Sequence, residues 1–176
     1  MVILLIGPSG SGKTTLARRI SQNDHWIHIS EDDLCMEIGH PSDKLRDDAG
    51  QMQVHSKAQQ QIDEAVRQQR NAVLVYEDPP HGLTDYQQFL EQRKIPYVAR
   101  VLRPGVETIL ERQQVRGRPS DRDREIMRRH AEHQLRCLYS DRIQADWVID
   151  SSGQTADQTY SRHFARLVEA TRTSRP

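Results

Sequence analysis

Residues 7–14 read GPSGSGKT, and this stretch decides how the rest of the chain is interpreted. It follows an apolar run, Val2 to Ile6, and precedes a helical pattern that begins at Lys13. A glycine-rich turn between a strand and a helix is typical of phosphate binding, because glycines let main-chain N–H groups point into a concavity. The new helix presents its positive end to the same place. The stretch, here called the phosphate loop, therefore predicts a site for nucleotide phosphates.

The side chains of the phosphate loop have distinct expected roles. Lys13 is expected to reach the β- and γ-phosphates of ATP as a point charge, and the Thr14 hydroxyl is expected to bind the Mg²⁺ that bridges them. The other expected nucleotide contacts are Gly7, Ser9, Gly10, Ser11, Gly12 and Thr15. ATP and Mg²⁺ are therefore the predicted cofactors.

The composition indicates one domain, residues 1–176, with a thin core and a charged surface. Hydrophobic residues make up 35% of the chain and the mean hydropathy is -0.81. The 25 basic and 25 acidic residues cancel, so no overall field attracts nucleic acid or membrane. Cys35 and Cys137 lack metal-type spacing and are interpreted as reduced thiols. The first apolar run is too short for a signal peptide or a membrane span, so we expect a cytoplasmic protein with no membrane partner.

Apolar segments alternate with helical patterns along the chain. The segments after the first are Trp26 to Ile29, Ala72 to Tyr76, Tyr97 to Leu102 and Trp147 to Ile149. Helical patterns start at Glu31 and Val106 and span residues 49–70, 84–93, 123–139 and 156–171. This alternation predicts an α/β fold with a five-stranded parallel sheet and helices on both faces. Ligands of such sheets bind beyond the carboxyl ends of the strands.

Carboxylates follow two of the predicted strands. Asp32 and Asp33 come after the second strand, and Glu77 and Asp78 come after the third. Because parallel strands end at one edge of the sheet, these side chains are expected near the phosphate loop. Asp32 is the candidate for the base that orients an attacking hydroxyl, and Asp33, Glu77 and Asp78 are expected to contact the acceptor. The alternative for Asp32 and Asp33, a simple helix-start role, stays open here.

Arginines are concentrated in one segment. Between Arg112 and Arg129 seven arginines stand against three acidic residues, a surplus of four positive charges. Arg112 and Arg116 are four residues apart, hence on one helix face, and the chain can hinge at Gly117. The pattern predicts a helical lid, at about residues 112–124, that closes over ATP. The alternative for residues 118–129 is a solvated face of interleaved charges.

Two further runs resemble the kinase module of the polynucleotide 5′-hydroxyl kinases. They are HISEDDLCMEI, residues 28–38, and ERQQVRGRPSDRDREIMRRHAEHQL, residues 111–135. That family lies within a broader group of small P-loop kinases, which includes gluconate kinases, chloramphenicol phosphotransferases and zeta-type toxins. The resemblance implies a P-loop kinase fold in which Lys13 and Thr14 bind ATP and Mg²⁺. It also implies Asp32 as the general base and Arg112 and Arg116 as lid arginines that act on the phosphates.

The sequence departs from the polynucleotide kinases at two places that concern the acceptor. Cys35 stands where those kinases carry an arginine that contacts the acceptor's phosphate. Their third strand often ends in an Asp-x-Asn-like element, whereas residues 76–81 read YEDPPH. The predicted function is transfer of the γ-phosphoryl group of ATP to an alcohol, first the 5′-hydroxyl of a nucleic acid and alternatively a small molecule. An ATP-binding regulatory protein without an acceptor is the alternative from another class.

Overall fold

The elements of the chain follow the alternation that its apolar segments predict. The computed structural model describes residues 1–39, 48–77, 79–118, 121–139 and 142–173. The strands are β1 (Val2–Ile6), β2 (Trp26–Ser30), β3 (Asn71–Tyr76), β4 (Tyr97–Leu102) and β5 (Val148–Ile149). The helices within these ranges are α1 (Lys13–Ile20), α2 (Glu31–Glu37), α3 (Asp48–Arg67), α4 (Pro79–Gln92), α5 (Val106–Arg116), α6 (Arg124–Cys137), α7 (Ala156–His163) and α8 (Ala165–Thr173).

The strands form one parallel sheet in the order β2-β3-β1-β4-β5. β1 is the central strand and pairs along its whole length with β3 and β4. All five of its residues are buried, which explains its uninterrupted apolar sequence VILLI. The predicted five-stranded parallel sheet is therefore confirmed. Because β1 is central, the phosphate loop begins in the middle of the carboxyl edge of the sheet.

Apolar side chains cover both faces of the sheet. Val2, Leu4 and Ile6 join one core with residues of α3 and α4, among them Ile62 and Leu90. The alternate residues of β1 point the other way, as the period of two in a strand requires. Ile3 and Leu5 join a second core with α1, α7 and α8, to which Leu16, Phe164 and Val168 belong. The predicted helices on both faces are thereby confirmed.

Several expected element boundaries were wrong. α4 begins at Pro79 instead of residue 84, since proline is tolerated in the first turn of a helix. The last helix is divided at Phe164, which is fully buried and has a non-helical φ of -125°. Trp147 lies in a 3-10 turn just before β5. None of the helices in the described ranges is long and apolar enough to span a bilayer.

A buried carboxylate links three of the helices beside the sheet edge. Glu31, the first residue of α2, is only 2% exposed. Tyr86 Oη of α4 donates to Glu31 Oε1 at 2.7 Å, and His55 Nε2 of α3 lies 3.3 Å from the same oxygen. The Tyr86 ring also contacts the rings of His55 and Tyr76. A buried charge is costly unless it is paired, so these contacts help to set the place of α2 and of Asp32, which follows Glu31.

Replacement of Tyr86 by phenylalanine tests this network. Tyr86→Phe keeps the buried ring but removes a hydrogen bond to a buried carboxylate, so we expect the free energy of unfolding to fall by about 2 kcal/mol. Tyr97→Phe is the matched control, because the Tyr97 hydroxyl donates to Glu91 in an exposed position; its expected loss is under about 0.5 kcal/mol. Urea unfolding of both variants measures the difference, and equal losses would contradict the role of Glu31.

Candidate functional site

The phosphate loop lies in close contact with β4 and α5. A Cβ atom added to Gly7 would lie 2.6 Å from the carbonyl oxygen of Leu102. Gly10 has a φ of +86°, and a Cβ atom there would lie 2.9 Å from Gln113 Cγ. Both distances are shorter than real Cβ contacts, so this path of the chain requires glycine at the two positions.

The phosphate loop borders a cavity of about 740 Å³, a volume suited to a small organic ligand. Many of the residues singled out in the sequence line it. They are Ser9, Gly10, Ser11, Gly12, Lys13, Thr14, Thr15, Asp32, Glu77, Arg112 and Arg116. The cavity is also lined by residues that the sequence did not suggest, including Ser151, Gln154 and Thr159. The fold therefore brings together the phosphate loop and residues of α1, α2, β3, β4, α5 and α7.

The ammonium group of Lys13 is held inside the phosphate loop. Its Nζ donates to the carbonyl oxygens of Gly7 at 2.7 Å and Pro8 at 3.0 Å. Glu77 Oε1, just beyond β3, lies 3.3 Å from the same nitrogen, and the Lys13 side chain is only 6% exposed. These contacts hold the Lys13 ammonium group at the concavity of the phosphate loop, where the main-chain N–H groups and the positive end of α1 also attract an anion.

The carboxylates of the cavity suit a hard cation. Asp32, in the first turn of α2, and Thr14, in the first turn of α1, line the same cavity as Glu77. Carboxylate and hydroxyl oxygens are the ligands that Mg²⁺ prefers. Among the described residues, no group of three or more His, Cys, Asp or Glu could hold a metal ion. Mg²⁺ in phosphate sites is compatible with this, because one or two carboxylates suffice when phosphates and waters complete its shell.

Asp33 and Asp78 differ from Asp32 in what the structure shows of them. Asp33 is exposed and is not among the residues that line the cavity; its N–H donates to Ser30 Oγ at 3.3 Å in the cap of α2. Its carboxylate acts on His28 instead: burial lowers the pKa of His28, and Asp33 partly opposes that shift. Asp78 lies outside the described residues. A role of either residue in acceptor binding stays a prediction.

Arg112 joins the phosphate loop to the segment after β5. Nη1 donates to the carbonyl oxygen of Ser11 at 2.8 Å. Nη2 donates to the carbonyl oxygens of Ser151 at 2.9 Å and Gln154 at 3.0 Å. Burial lowers the pKa of Arg112, and Glu111 partly opposes this. Arg112 thus braces the wall of the cavity, a role that its spacing in the sequence did not suggest.

Arg116 is paired with an aspartate of the same arginine-rich segment. Its Nε and Nη2 donate to the two oxygens of Asp121 at 3.0 and 2.8 Å. This hydrogen bonding to Arg116 lowers the pKa of Asp121. The third contact of the guanidinium is Ser9 Oγ at 3.4 Å. Arg116 therefore lies beside the phosphate loop, but the predicted lid is not confirmed, because both arginines belong to α5 and are tied to neighbouring groups.

Two glutamines of the site were missed in the sequence. Gln113 Nε2 of α5 donates to the carbonyl oxygen of Ser9 at 3.1 Å. Gln134 Oε1 of α6 accepts the N–H of Ser9 at 3.1 Å, and its Nε2 lies 3.5 Å from Glu77 Oε2. Glutamines in polar helices carry no distinguishing pattern, so no signal in the sequence could have separated these two from their neighbours.

Comparison with known proteins supports the interpretation of the fold. A family model described as an AAA domain matches residues 2–140. The tunicamycin resistance protein of Deinococcus radiodurans superposes with a TM-score of 0.67 at 17% identity, covering 98% of this chain and 95% of that chain. Shikimate kinase from Acinetobacter baumannii in complex with shikimate gives 0.62 at 19% identity, with 98% and 94% covered.

A chain of the Pnkp1/Rnl/Hen1 RNA repair complex is also similar. The TM-score is 0.59 at 19% identity, and the match covers 77% of this chain but only 43% of that chain. This chain therefore spans less than half the length of that protein. No curated protein sequence matches the chain. At these identities the likeness to solved structures shows a shared fold, which is that of the P-loop kinases.

Alanine at Gly10 tests the close contact between the phosphate loop and α5. Gly10→Ala is expected to weaken the binding of an ATP analogue by at least roughly tenfold, because both the positive φ and the contact with Gln113 displace the loop. Gly39→Ala is the control: Gly39 also has a positive φ, of +77°, but an added Cβ would meet none of the described atoms within 4 Å. Calorimetric titration should show near-normal binding for Gly39→Ala, and equal losses in both variants would contradict the argument.

Proposed function

Because this chain belongs to the AAA domain family and has the P-loop kinase fold, we propose that it is an ATP-dependent phosphotransferase acting on an alcohol hydroxyl. The observation that carries the proposal is that Lys13, Thr14 and Asp32 line one cavity at the carboxyl edge of the sheet. A nucleotide-binding regulator needs the phosphate loop and its Mg²⁺ ligands but has no use for a carboxylate that faces an acceptor. The presence of Asp32 in the cavity therefore favours an enzyme.

The phosphate loop holds the donor in this proposal. Main-chain N–H groups and Lys13 bind the β- and γ-phosphates, and Lys13 exchanges its contact with Glu77 for phosphate oxygens. Thr14 would hold Mg²⁺, which when bound neutralises charge on the transferring group. Arg112 keeps the wall of the cavity in place, and Arg116 lies close enough to the loop to exchange Asp121 for a phosphate oxygen.

Asp32 acts on the acceptor. Its carboxylate orients the hydroxyl and takes its proton while the new oxygen–phosphorus bond forms and the bond from the γ-phosphorus to the bridging oxygen breaks. The products are the phosphorylated alcohol and ADP. Water is the competing nucleophile, so closure of the cavity around the acceptor favours transfer over hydrolysis.

Substitution of Asp32 tests this mechanism. Asp32→Asn is expected to leave ATP affinity within a few-fold and to lower kcat by on the order of 10² or more, because the amide cannot take the proton. Asp146→Asn is the control, since Asp146 is an exposed aspartate that does not line the cavity. Steady-state kinetics with the acceptor should show a change below about threefold for this control. Full turnover by Asp32→Asn would exclude Asp32 as the base.

The resemblance of the sequence to polynucleotide kinases favours a 5′-hydroxyl of nucleic acid as the acceptor, whereas the charges near Asp32 favour a small molecule. The described side chains of residues 31–39, 49–58, 77 and 83–86 include six carboxylates and one lysine. They are Glu31, Asp32, Asp33, Glu37, Glu77, Asp85 and Lys57. The lysine lies 3.4 Å from Glu37 Oε2. By sequence, residues 40–48 add three acidic and two basic residues and position 78 adds an aspartate. Arg18 lines the cavity and Arg142 donates to Thr84, and with these two cations included the carboxylates are still in surplus.

A surplus of carboxylates in the segments proposed to meet the acceptor disfavours a polyanion. Cys35, at the position where the related kinases carry an arginine, is fully buried and offers no cation to an acceptor phosphate. These two observations are the specific support for the second candidate, a small-molecule kinase. They point to a hydroxyl compound without phosphate groups.

Acceptor-dependent ATP consumption separates the three candidates. We expect consumption to stay near background in buffer and to rise with uncharged or amine-bearing polyols, with little response to a 5′-hydroxyl oligonucleotide. A larger response to the oligonucleotide, weakened by added salt, would instead identify a polynucleotide kinase. Indifference to every acceptor, together with ATP-dependent binding of a protein partner, would support the regulatory alternative.

A further inference from the structure

All three polar groups of Ser9 in the phosphate loop are held by side chains from α5 and α6. The Ser9 N–H donates to Gln134 Oε1, its carbonyl oxygen accepts from Gln113 Nε2, and its Oγ accepts from Arg116 Nη1. The distances are 3.1, 3.1 and 3.4 Å. The tip of the loop is therefore attached to these two helices as well as to the sheet.

Gln134 differs from the other two because its amide makes a second contact within the site. Its Nε2 lies 3.5 Å from Glu77 Oε2, at the outer limit of a hydrogen bond. The other oxygen of Glu77 accepts from Lys13 Nζ at 3.3 Å. One side chain thus connects a main-chain N–H of the phosphate loop with the carboxylate that holds Lys13.

α6 provides a firm base for Gln134. Asp123 caps the helix, with Oδ1 accepting the N–H groups of Glu125 and Ile126. Met127 and Ala131, which come before Gln134 in α6, are buried. Leu138, just after the helix, belongs to the core on one face of the sheet. The position of Gln134 is therefore set by packing at both ends of the helix, and its partly buried amide is directed to the loop.

From these contacts we propose that Gln134 is a positioning residue that holds the phosphate loop and the Lys13–Glu77 pair ready for ATP. The proposal rests on the ATP site of the proposed function. A glycine-rich loop loses conformational entropy when it closes around phosphates, and contacts that order it beforehand reduce that cost. The opposite effect would arise if Gln134 Oε1 occupied a position needed by a phosphate oxygen, because its removal would then strengthen ATP binding. Removal of the Gln134 side chain would therefore weaken ATP binding in the first account and strengthen it in the second.

Two measurements on Gln134→Ala test the proposal, with Gln114→Ala as the matched control. Gln114 is an exposed glutamine on α5 that does not line the main cavity. We expect Gln134→Ala to raise the Kd of a non-hydrolysable ATP analogue with Mg²⁺ roughly three- to tenfold, the effect of one hydrogen bond. In the nucleotide-free protein, the Ser9 amide should exchange with solvent correspondingly faster. Gln114→Ala should change neither quantity by more than about twofold.

The variant Gln134→Glu shows whether the contact itself matters. A glutamate keeps an oxygen that accepts the Ser9 N–H, so protection of the Ser9 amide should return to near the level of the unchanged protein. A general loss of helix stability would not be corrected in this way. Unchanged or tighter analogue binding by Gln134→Ala, or unchanged Ser9 exchange, would overturn the proposal.

Neither measurement depends on turnover. Full activity of Asp32→Asn would refute the proposed base without affecting the result for Gln134. If the unchanged protein binds no ATP analogue, the proposed function fails, while the exchange of Ser9 still decides whether Gln134 orders the loop.

Discussion

The phosphate loop is held so close to its neighbours that a side chain does not fit at two of its positions. Gly7 is pressed against the backbone of β4, and Gly10 against α5. Contact on these two sides determines the curvature of the loop, and that curvature directs main-chain N–H groups and the start of α1 to one place. Lys13 points back into the same concavity through the carbonyl oxygens of the loop. The anion site thus depends on close packing as much as on charge.

Opposite charges separate across the cavity of a protein whose net charge is zero. Arg112, Arg116 and Arg118 lie on the side of α5, together with one acidic residue, Glu111. Carboxylates outnumber cations in residues 31–39, 49–58, 77 and 83–86, around the ends of β2 and β3, although Arg18 of α1 also lines the cavity. Total charge conceals such a separation, because local fields depend on where charges lie and not on their sum. The two substrates of a phosphoryl transfer would therefore meet different potentials in one cavity.

Much of the fold and part of the site could be predicted from local patterns. Apolar runs such as VILLI identified the strands because a strand covered on both faces has no polar positions. Asp32 was placed correctly beside the phosphate loop because parallel strands end at one edge. Its neighbour Asp33 turns elsewhere, since successive residues of a helix point in different directions. Arg112 and Arg116 share a helix face as expected. Their spacing could not reveal the carbonyl oxygens and the carboxylate that accept hydrogen bonds from the two guanidinium groups.

The sequence by itself determined the phosphate loop, the parallel sheet and the position of Asp32 at the sheet edge where the loop lies. Each of these follows from interactions between residues near one another in the chain or from the alternation of a strand. Only the tertiary structure decided that Gln134 meets Ser9, 125 residues away, and that Arg112 meets the segment after β5. Such contacts depend on how helices pack, and glutamine or arginine in a polar helix has the same local pattern whether it faces the site or the solvent.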